Sequence, residues 1–259
     1  MSVTPSVRTI RSAQNRSYRR WRDFAAHPES VECPWVAVQN WKHIHDLVNK
    51  HTLQLLLLET LEDSRLGSLL ECANEVICLP DRLLENLSTL SSSQGVIAFF
   101  EKPLWNWKHL SSYVLYLDRL QDPGNLGTLL RTAQATGIFS LVTSPGTVSC
   151  FNTKVVRASA GALYSVPFLE EIPAQELADH GYRLWAADTG TGQSLFDVKF
   201  NPPLAILLGN EGMGLESTIS SLSQDQVKIP MQPEIESLNA AVAGSLILYE
   251  VFRQTVQNG

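Results

Sequence analysis

The chain has 259 residues with a formal net charge of −6 at pH 7, and hydrophobic residues make up 44% of it. This composition fits one or two globular domains with a large core, and no apolar run reaches the roughly 18 residues that a membrane span requires. The acidic balance argues against indiscriminate binding of nucleic acid. The four cysteines lack the paired spacing of a zinc site. We expect reduced thiols in a cytoplasmic protein without a structural metal.

The start of the chain is basic. The first 22 residues contain six arginines and no acidic residue, so residues 1–24 are predicted to form a basic arm that binds RNA phosphates. Tyr18 and Trp21 lie among the arginines, where they either stack on bases or dock the arm on the core. An organellar transit peptide has a similar composition, and a solvated basic helix explains any single arginine equally well. The arginines assigned to RNA are Arg8, Arg11, Arg16, Arg19, Arg20 and Arg22.

Residues 25–104 alternate between strand and helix patterns, which indicates a small α/β domain. The polar stretch 88–94 is predicted to be an exposed loop. Residues 105–112 are predicted to be a linker, in which Trp105 and Trp107 pin the two domains together. The predicted strands are 35–39, 53–58, 76–79 and 96–100, and the predicted helices are 40–50, 64–72 and 81–87.

The same alternation continues over residues 113–259 and predicts a mostly parallel sheet. From spacing alone we expect an ordinary open sheet, because knots are almost absent from proteins. The last predicted helix is apolar nearly all round, so a second subunit is expected to cover one side of it. The predicted strands are 113–117, 139–143, 166–169, 183–187, 204–208 and 227–229, and the predicted helices are 125–136, with Asn125 as its N-cap, 153–163, 173–180 and 238–256.

Polar or glycine-rich segments follow three of these strands, where an open α/β sheet builds its ligand site. A dinucleotide-binding loop is one alternative for the glycines. Their late position in the chain disfavours it, as does Glu211, which would repel a pyrophosphate. The segments are Asn125-x-Gly127-x-x-x-Arg131, Gly209-Asn210-Glu211-Gly212-x-Gly214, and Pro230 followed by Ser237-Leu238-Asn239.

In order and spacing these segments resemble motifs 1, 2 and 3 of the SpoU (TrmH-type) family of the SPOUT RNA 2'-O-methyltransferase superfamily. The resemblance covers residues from about 112 to the end and implies a SPOUT trefoil-knot domain. The preceding α/β domain resembles the family's substrate-binding domain only loosely. The resemblance also implies S-adenosyl-L-methionine as methyl donor, a ribose 2'-hydroxyl of RNA as acceptor, and a homodimer packed through the knot region and the final helix.

Two points of function stay open at this stage. An added domain with a basic arm suits ribosomal RNA better than transfer RNA, by analogy. A transfer-RNA 2'-O-methyltransferase is the first alternative, and a non-catalytic RNA-binding protein with the same fold is the second. A small-molecule or dinucleotide enzyme is disfavoured by the basic arm.

The resemblance assigns Arg131 to catalysis. A guanidinium keeps its proton far above neutral pH, so holding a phosphate and stabilising the developing alkoxide is easier for it than acting as a base. Asn125 and Glu211 are expected to orient Arg131 and the ribose, Asn239 to fix the third motif, and Ser237 to donate or accept a hydrogen bond. The expected cofactor-binding residues are Ala187, Gly209, Asn210, Gly212, Gly214, Ile229, Met231 and Leu238.

Two further cations are predicted to contact RNA. Lys154 and Arg157 are three residues apart on the helix predicted at 153–163. This stretch of sequence also resembles the family. A solvated helix face explains them equally well.

Overall fold

The computed structural model describes residues 7–90, 92–188, 190, 192–210 and 212–257. The chain divides into two compact units. The first contains Met1–Pro103 together with the short segment Phe151–Arg157, and the second contains Leu104–Cys150 and Ala158–Gly259. The sequence predicted a single boundary at the linker and did not predict that residues 151–157 belong to the first unit.

None of the helices in the described part of the chain has the length and apolar character needed to cross a membrane.

A five-stranded sheet forms the first unit, in the order β1-β4-β3-β5-β2. β4 is parallel to β1 and β3, whereas β5 is antiparallel to β3 and β2. The elements are β1 (Val7–Thr9), α1 (Arg16–Ala26), β2 (Trp35–Val38), α2 (Trp41–Val48), β3 (Leu53–Leu58), α3 (Leu69–Cys72), β4 (Ala73–Cys78), α4 (Asp81–Glu85) and β5 (Val96–Glu101).

The basic segment is built into this unit. β1, which the sequence did not predict, pairs with β4, and Asn15 caps α1 by accepting hydrogen bonds from the amides of Ser17 and Tyr18. Tyr18 and Trp21 are buried in the core, and the Tyr18 hydroxyl donates to the Leu83 carbonyl at 3.0 Å. Of the two roles considered for these aromatic residues, the structure shows docking on the core. The boundary predicted after residue 24 therefore falls inside α1.

A seven-stranded sheet forms the second unit, in the order β10-β12-β9-β11-β6-β7-β8. Each of its strand pairs is parallel, which confirms the predicted sheet. The elements are β6 (Tyr113–Leu117), α5 (Pro123–Thr136), β7 (Phe139–Thr143), α6 (Thr153–Ala158), β8 (Phe168–Leu169), α7 (Ala174–Asp179), β9 (Arg183–Ala187), β10 (Gln193–Ser194), β11 (Leu204–Leu208), α8 (Ser217–Ser220), β12 (Asp225–Lys228) and α9 (Ala240–Gln257), with 3-10 turns at Trp107–His109 and Ala162–Tyr164.

The start of α5 differs from the prediction. Asp122 is the N-cap, because its carboxylate accepts from the amides of Gly124 at 2.6 Å and Asn125 at 3.3 Å. Pro123 occupies the first helical position, where its missing N–H costs nothing. Asn125 therefore lies inside the first turn and is buried, so its side chain is available for a contact with another element.

α5 and α9 pack closely against each other. A Cβ added to Gly244 of α9 would lie 2.5 Å from a methyl carbon of Leu129 on α5. The hydroxyls of Thr132 and Ser245 are 3.0 Å apart across the same contact. This contact brings the first and third sequence motifs together, because α5 carries the first motif and α9 begins directly after the third.

The aromatic residues of the predicted linker have partners inside the second unit. The Trp107 ring stacks on His180, with ring centroids 3.7 Å apart and nearly parallel planes. Trp105 meets His109 edge-on, at 5.5 Å between centroids. Pinning of the two domains by these tryptophans stays a prediction.

Candidate active site

A cavity of 460 Å³ lies in the second unit, at the carboxyl ends of β9, β11 and β12. These strands are adjacent and parallel, so the segments that follow them meet at one edge of the sheet. The volume falls within the roughly 300–1,000 Å³ of small-molecule sites. All eight residues that the sequence assigned to the cofactor line this cavity, namely Ala187, Gly209, Asn210, Gly212, Gly214, Ile229, Met231 and Leu238.

A tight turn after β11 forms one wall. The backbones of Asn210 and Gly214 exchange two hydrogen bonds of 3.1 and 3.0 Å. A Cβ on Gly209 would lie 2.2 Å from the Gly214 carbonyl carbon and 2.2 Å from the Leu215 nitrogen. Gly214 has a φ of 67°, a region that glycine occupies without strain. Gly209 is therefore needed because two backbone segments pass too close for a side chain, and Gly214 is needed because of its backbone conformation.

The Asn210 side chain ties this turn to the loop after β6. Its Oδ1 accepts from the Gly212 amide at 2.9 Å, and its Nδ2 donates to the Arg119 carbonyl at 2.7 Å. Arg119 has a φ of 50°, so its backbone is held in a conformation that is uncommon for a non-glycine residue. Asn210 thus supports the shape of the cavity wall in addition to lining it.

The buried Asp118 carboxylate also links the loop after β6 to the segment that follows the turn after β11. Asp118, only 1% exposed, accepts from the Arg119 guanidinium at 3.0 and 3.2 Å and from the Glu216 amide at 3.1 Å. The hydrogen bonds to the Asp118 carboxylate raise the pKa of the Arg119 guanidinium, which also lies 3.4 Å from the Glu216 carboxylate. Sequence analysis assigned no site role to any of these three residues. The usable signal was a charged pair directly after the apolar strand at 113–117.

The remaining walls combine apolar and polar groups. Val227, Ile229, Met231 and Leu238 supply apolar surface, while Asp188 and Ser237 supply oxygen atoms. Asp188 follows β9, and its amide donates to the Val227 carbonyl at 2.9 Å. The prediction did not include this carboxylate, although it ends a predicted strand as the other motifs do. The cavity can therefore hold a flat apolar ligand that also carries hydroxyl groups.

The predicted catalytic residues fall into separate groups. Ser237 lines the cavity, and Glu211 lies outside the described residues. The Asn239 side chain donates to Asn125 Oδ1 at 3.1 Å and accepts from the amides of Ala241 and Val242 at 2.9 and 3.2 Å. Asn239 therefore caps α9 and joins it to α5. Arg131 is exposed on α5 and is not among the residues lining the cavity.

The predicted RNA-binding cations all belong to the first unit, because residues 151–157 join it. Their side chains are exposed or half-exposed. Three have local partners among the described residues: Arg8 pairs with Glu75, the Arg22 guanidinium lies 3.9 Å from the Asp23 carboxylate, and the Arg20 guanidinium lies 5.0 Å from the centre of the Phe24 ring. The full set is Arg8, Arg11, Arg16, Arg19, Arg20, Arg22, Lys154 and Arg157.

Comparison with known proteins bears on the second unit and on the whole chain. The SpoU rRNA Methylase family matches residues 112–249. A Staphylococcus haemolyticus protein assigned to the TrmH family of tRNA/rRNA methyltransferases is 32% identical over 232 residues, which cover 82% of this chain and 93% of that protein. The 23S rRNA (guanosine(2553)-2'-O)-methyltransferase RlmP of Bacillus subtilis is 24% identical over 248 residues, covering 95% of this chain and 99% of the relative.

Solved structures show the same likeness. The SpoU methyltransferase AviRb from Streptomyces viridochromogenes, in complex with the cofactor AdoMet, superposes with a TM-score of 0.83 at 26% identity. The match covers 94% of this chain and 99% of AviRb. The α/β SPOUT methyltransferase fold is thereby confirmed, while the trefoil knot stays a prediction. On the evidence of its three motifs, its cavity and these relatives, the chain belongs to the SpoU rRNA methylase family.

Proposed function

We propose that this protein transfers the methyl group of S-adenosyl-L-methionine to a ribose 2'-hydroxyl of RNA. The observation that carries the proposal is the cavity at the ends of β9, β11 and β12, whose walls include all eight predicted cofactor residues. Two relatives add support, since RlmP is named as a 2'-O-methyltransferase of 23S rRNA and AviRb was solved with AdoMet.

The residues of the cavity fit this cofactor. Gly209 leaves space where a Cβ would collide with backbone, so the turn presents its amides and carbonyls directly to a flat adenine ring. Ile229 and Met231 provide apolar cover for that ring, and the Asp188 carboxylate is suited to accept hydrogen bonds from ribose hydroxyls. When bound, the cofactor supplies an electrophilic methyl group on a sulfonium. The protein's task is then to position the acceptor oxygen in line with it.

We assign the electrostatic part of the reaction to Arg131. Its side chain is exposed and makes no hydrogen bond or ion pair with another described residue. Its five N–H donors suit a phosphate next to the reacting ribose and the alkoxide that develops as the hydroxyl loses its proton. Asn125 and Asn239, joined at 3.1 Å, hold α5 and the third motif in a fixed relation.

We further propose a homodimer formed through α9. This helix leaves large apolar side chains exposed at Val242 (49%), Leu246 (46%), Tyr249 (51%) and Val256 (62%). Their spacing of three, four and seven residues places them on one face. Arg253 lies on the same face, where it pairs with Glu250, and an exposed apolar face of this kind is typical of a subunit interface.

Ribosomal RNA is the proposed substrate, in the cytoplasm. One unit of the chain carries all eight predicted cations, which fits binding of the backbone phosphates of a structured RNA. Transfer RNA is the alternative that the experiment must separate.

The test begins with calorimetric titration of the purified protein with S-adenosyl-L-methionine. Tritium-methyl transfer to unmodified ribosomal and transfer RNA pools follows, with nucleoside analysis of the product. Saturable binding with label in a 2'-O-methylated nucleoside of ribosomal RNA is the expected result. Binding without transfer to any RNA, ribosomal subunits included, would support a non-catalytic RNA-binding protein. Absence of binding would overturn the cofactor assignment.

A further inference from the structure

A second cleft lies wholly within the first unit and has no part in the site described above. It occupies 630 Å³ at the edge of the five-stranded sheet where β2 and β3 end and β5 begins. These ends meet because β5 is antiparallel to both of its neighbours. Three short stretches form the walls, within residues 40–42, 59–65 and 93–95.

The floor of the cleft is a stacked pair of side chains. Trp41 is 6% exposed, and its Nε1 donates to the Gln94 carbonyl at 3.1 Å, which orients the indole ring. The Arg65 guanidinium lies over this ring, 4.4 Å from its centre. Because 53% of the Arg65 side chain is exposed, the guanidinium covers the indole with one face and leaves a flat cationic surface on the other.

A carboxylate holds this guanidinium in place. Arg65 donates to Asp63 through Nε at 2.9 and 3.2 Å and through Nη2 at 2.6 Å. The same hydrogen bonds lower the pKa of the Asp63 carboxyl to about 2, so the pair stays ionised at any physiological pH. A guanidinium clamped by stacking and by a two-pronged ion pair is prepared in advance to receive a second planar group.

Three side chains around this surface are available to a ligand. Lys42, Glu59 and Gln94 line the cleft, and none of their side chains hydrogen-bonds or pairs with another described residue. Together with Asp63 and Arg65 they give two positive and two negative charges, so the cleft does not favour a simple anion. It offers a stacking surface, a carboxylate acceptor, an amide and one cation, which is the set of groups that a nucleotide base with its phosphate requires.

We propose that this cleft binds an unstacked guanine nucleotide of the RNA, an inference that rests on the proposed function. Sequence-specific recognition of RNA uses unstacked bases placed on aromatic rings or guanidinium planes. Guanine is the base with two adjacent N–H donors on its Watson–Crick edge, and these match the two oxygens of the Glu59 carboxylate. The Lys42 ammonium provides the contact to the phosphate.

Fluorescence anisotropy with labelled single-stranded oligouridine, carrying either one guanosine or one adenosine at its centre, tests this inference on the full chain. The unchanged protein should prefer the guanosine oligomer. Arg65→Lys keeps the charge but removes the planar surface, and should weaken binding of that oligomer about tenfold, as the loss of one stacked base does. Glu59→Gln should remove the preference for guanosine over adenosine. Arg82→Lys and Glu85→Gln on the exposed face of α4 are the matched controls and should change neither value.

Cofactor titration and methyl transfer, run on the same proteins, separate this inference from the proposed function. If the unchanged protein binds S-adenosyl-L-methionine and methylates RNA while the Arg65 and Glu59 variants match their controls, the cleft assignment is wrong and the proposed function stands. If oligomer binding depends on Arg65 and Glu59 but no cofactor binds, the cleft assignment stands alone. Displacement of the oligomer by free guanosine monophosphate at equal concentration would show a site for free nucleotides and overturn the RNA assignment.

Discussion

Gly209 sits where the turn after β11 crosses its own backbone. We predict that Gly209→Ala weakens binding of S-adenosyl-L-methionine by about tenfold or more, because the added carbon would lie 2.2 Å from two backbone atoms and the turn must move. Calorimetric titration measures the effect. The control is Gly190→Ala, where a Cβ meets no atom of another described residue within 4 Å. Equal affinities for the two variants would contradict the assigned role of the turn.

Arg131 is predicted to matter for turnover and not for the cofactor. Arg131→Ala should lower kcat by about 100-fold, the usual cost of losing one donor to a developing oxyanion, while the dissociation constant of S-adenosyl-L-methionine stays within about twofold. Arg131→Lys should recover only part of the rate, because a point charge does not replace the bidentate contact. Single-turnover methyl transfer and calorimetry provide the two readouts. A parallel loss of both would remove Arg131 from the catalytic group, and Arg82→Ala serves as the control.

At the scale of single residues, the sequence predicted the residues that line the cavity better than the residues that hold the lining segments in place. The eight residues assigned to the cofactor all line the cavity, and they were located by the resemblance of the motifs to the SpoU family and by their positions after apolar strands. The N-cap of α5 was assigned to Asn125, although Pro123 at the first helical position points to Asp122. The links from Asp118 and Arg119 to the turn after β11 depend on residues about a hundred positions away, which no local pattern encodes.

The helix α9 depends on Asn239 at its start. Asn239→Ala should lower the free energy of unfolding by about 1–3 kcal/mol, because both the cap and the hydrogen bond to Asn125 are lost. Asn239→Ser keeps a capping oxygen and loses only the donor to Asn125, so it should cost about 1 kcal/mol. Urea denaturation measures both values. A serine variant as stable as the unchanged protein would show that the link to α5 contributes nothing.

Among whole elements, the buried strands were the most predictable. The strands at 53–58, 113–117, 139–143, 183–187 and 204–208 were predicted with the bounds that the structure shows, because a strand covered on both faces is a continuous apolar run. β1, β10 and α8 were missed. They have three, two and four residues, too few to show a period, and β1 and β10 form through pairing with distant strands.

At the scale of the whole molecule, the exposed apolar side chains of α9 predict that the protein is a dimer. The unchanged protein should have the mass of two chains in size-exclusion chromatography with light scattering. Leu246→Glu should have the mass of one, because a carboxylate would be buried without a partner in the interface. Phe196→Glu is the control, since Phe196 is 65% exposed elsewhere in the second unit. A monomeric unchanged protein, or a dimeric Leu246→Glu variant, would refute the proposed interface.

The organisation into two units was only partly visible in the sequence. Alternating apolar runs predicted the class of both units, and the helix-breaking Pro103 indicated where the main segment of the first one ends. The return of Phe151–Arg157 to the first unit could not be predicted, since periodicity identifies elements but not the elements they pack against. That return explains why Lys154 and Arg157, distant in sequence, belong with the arginines of the first 22 residues.

The cavity draws its walls from β9 through to the first turns of α9, including Ala243 and Ile247, near the end of the chain. A growing polypeptide therefore cannot form the pocket until α9 has left the ribosome. A product truncated by a premature stop before residue 240 would carry the complete first unit and its cations, yet would have no place for the methyl donor. On the proposed function such a fragment would compete for RNA without modifying it, whereas a chain that includes α9 would gain stability by mass action on binding the cofactor.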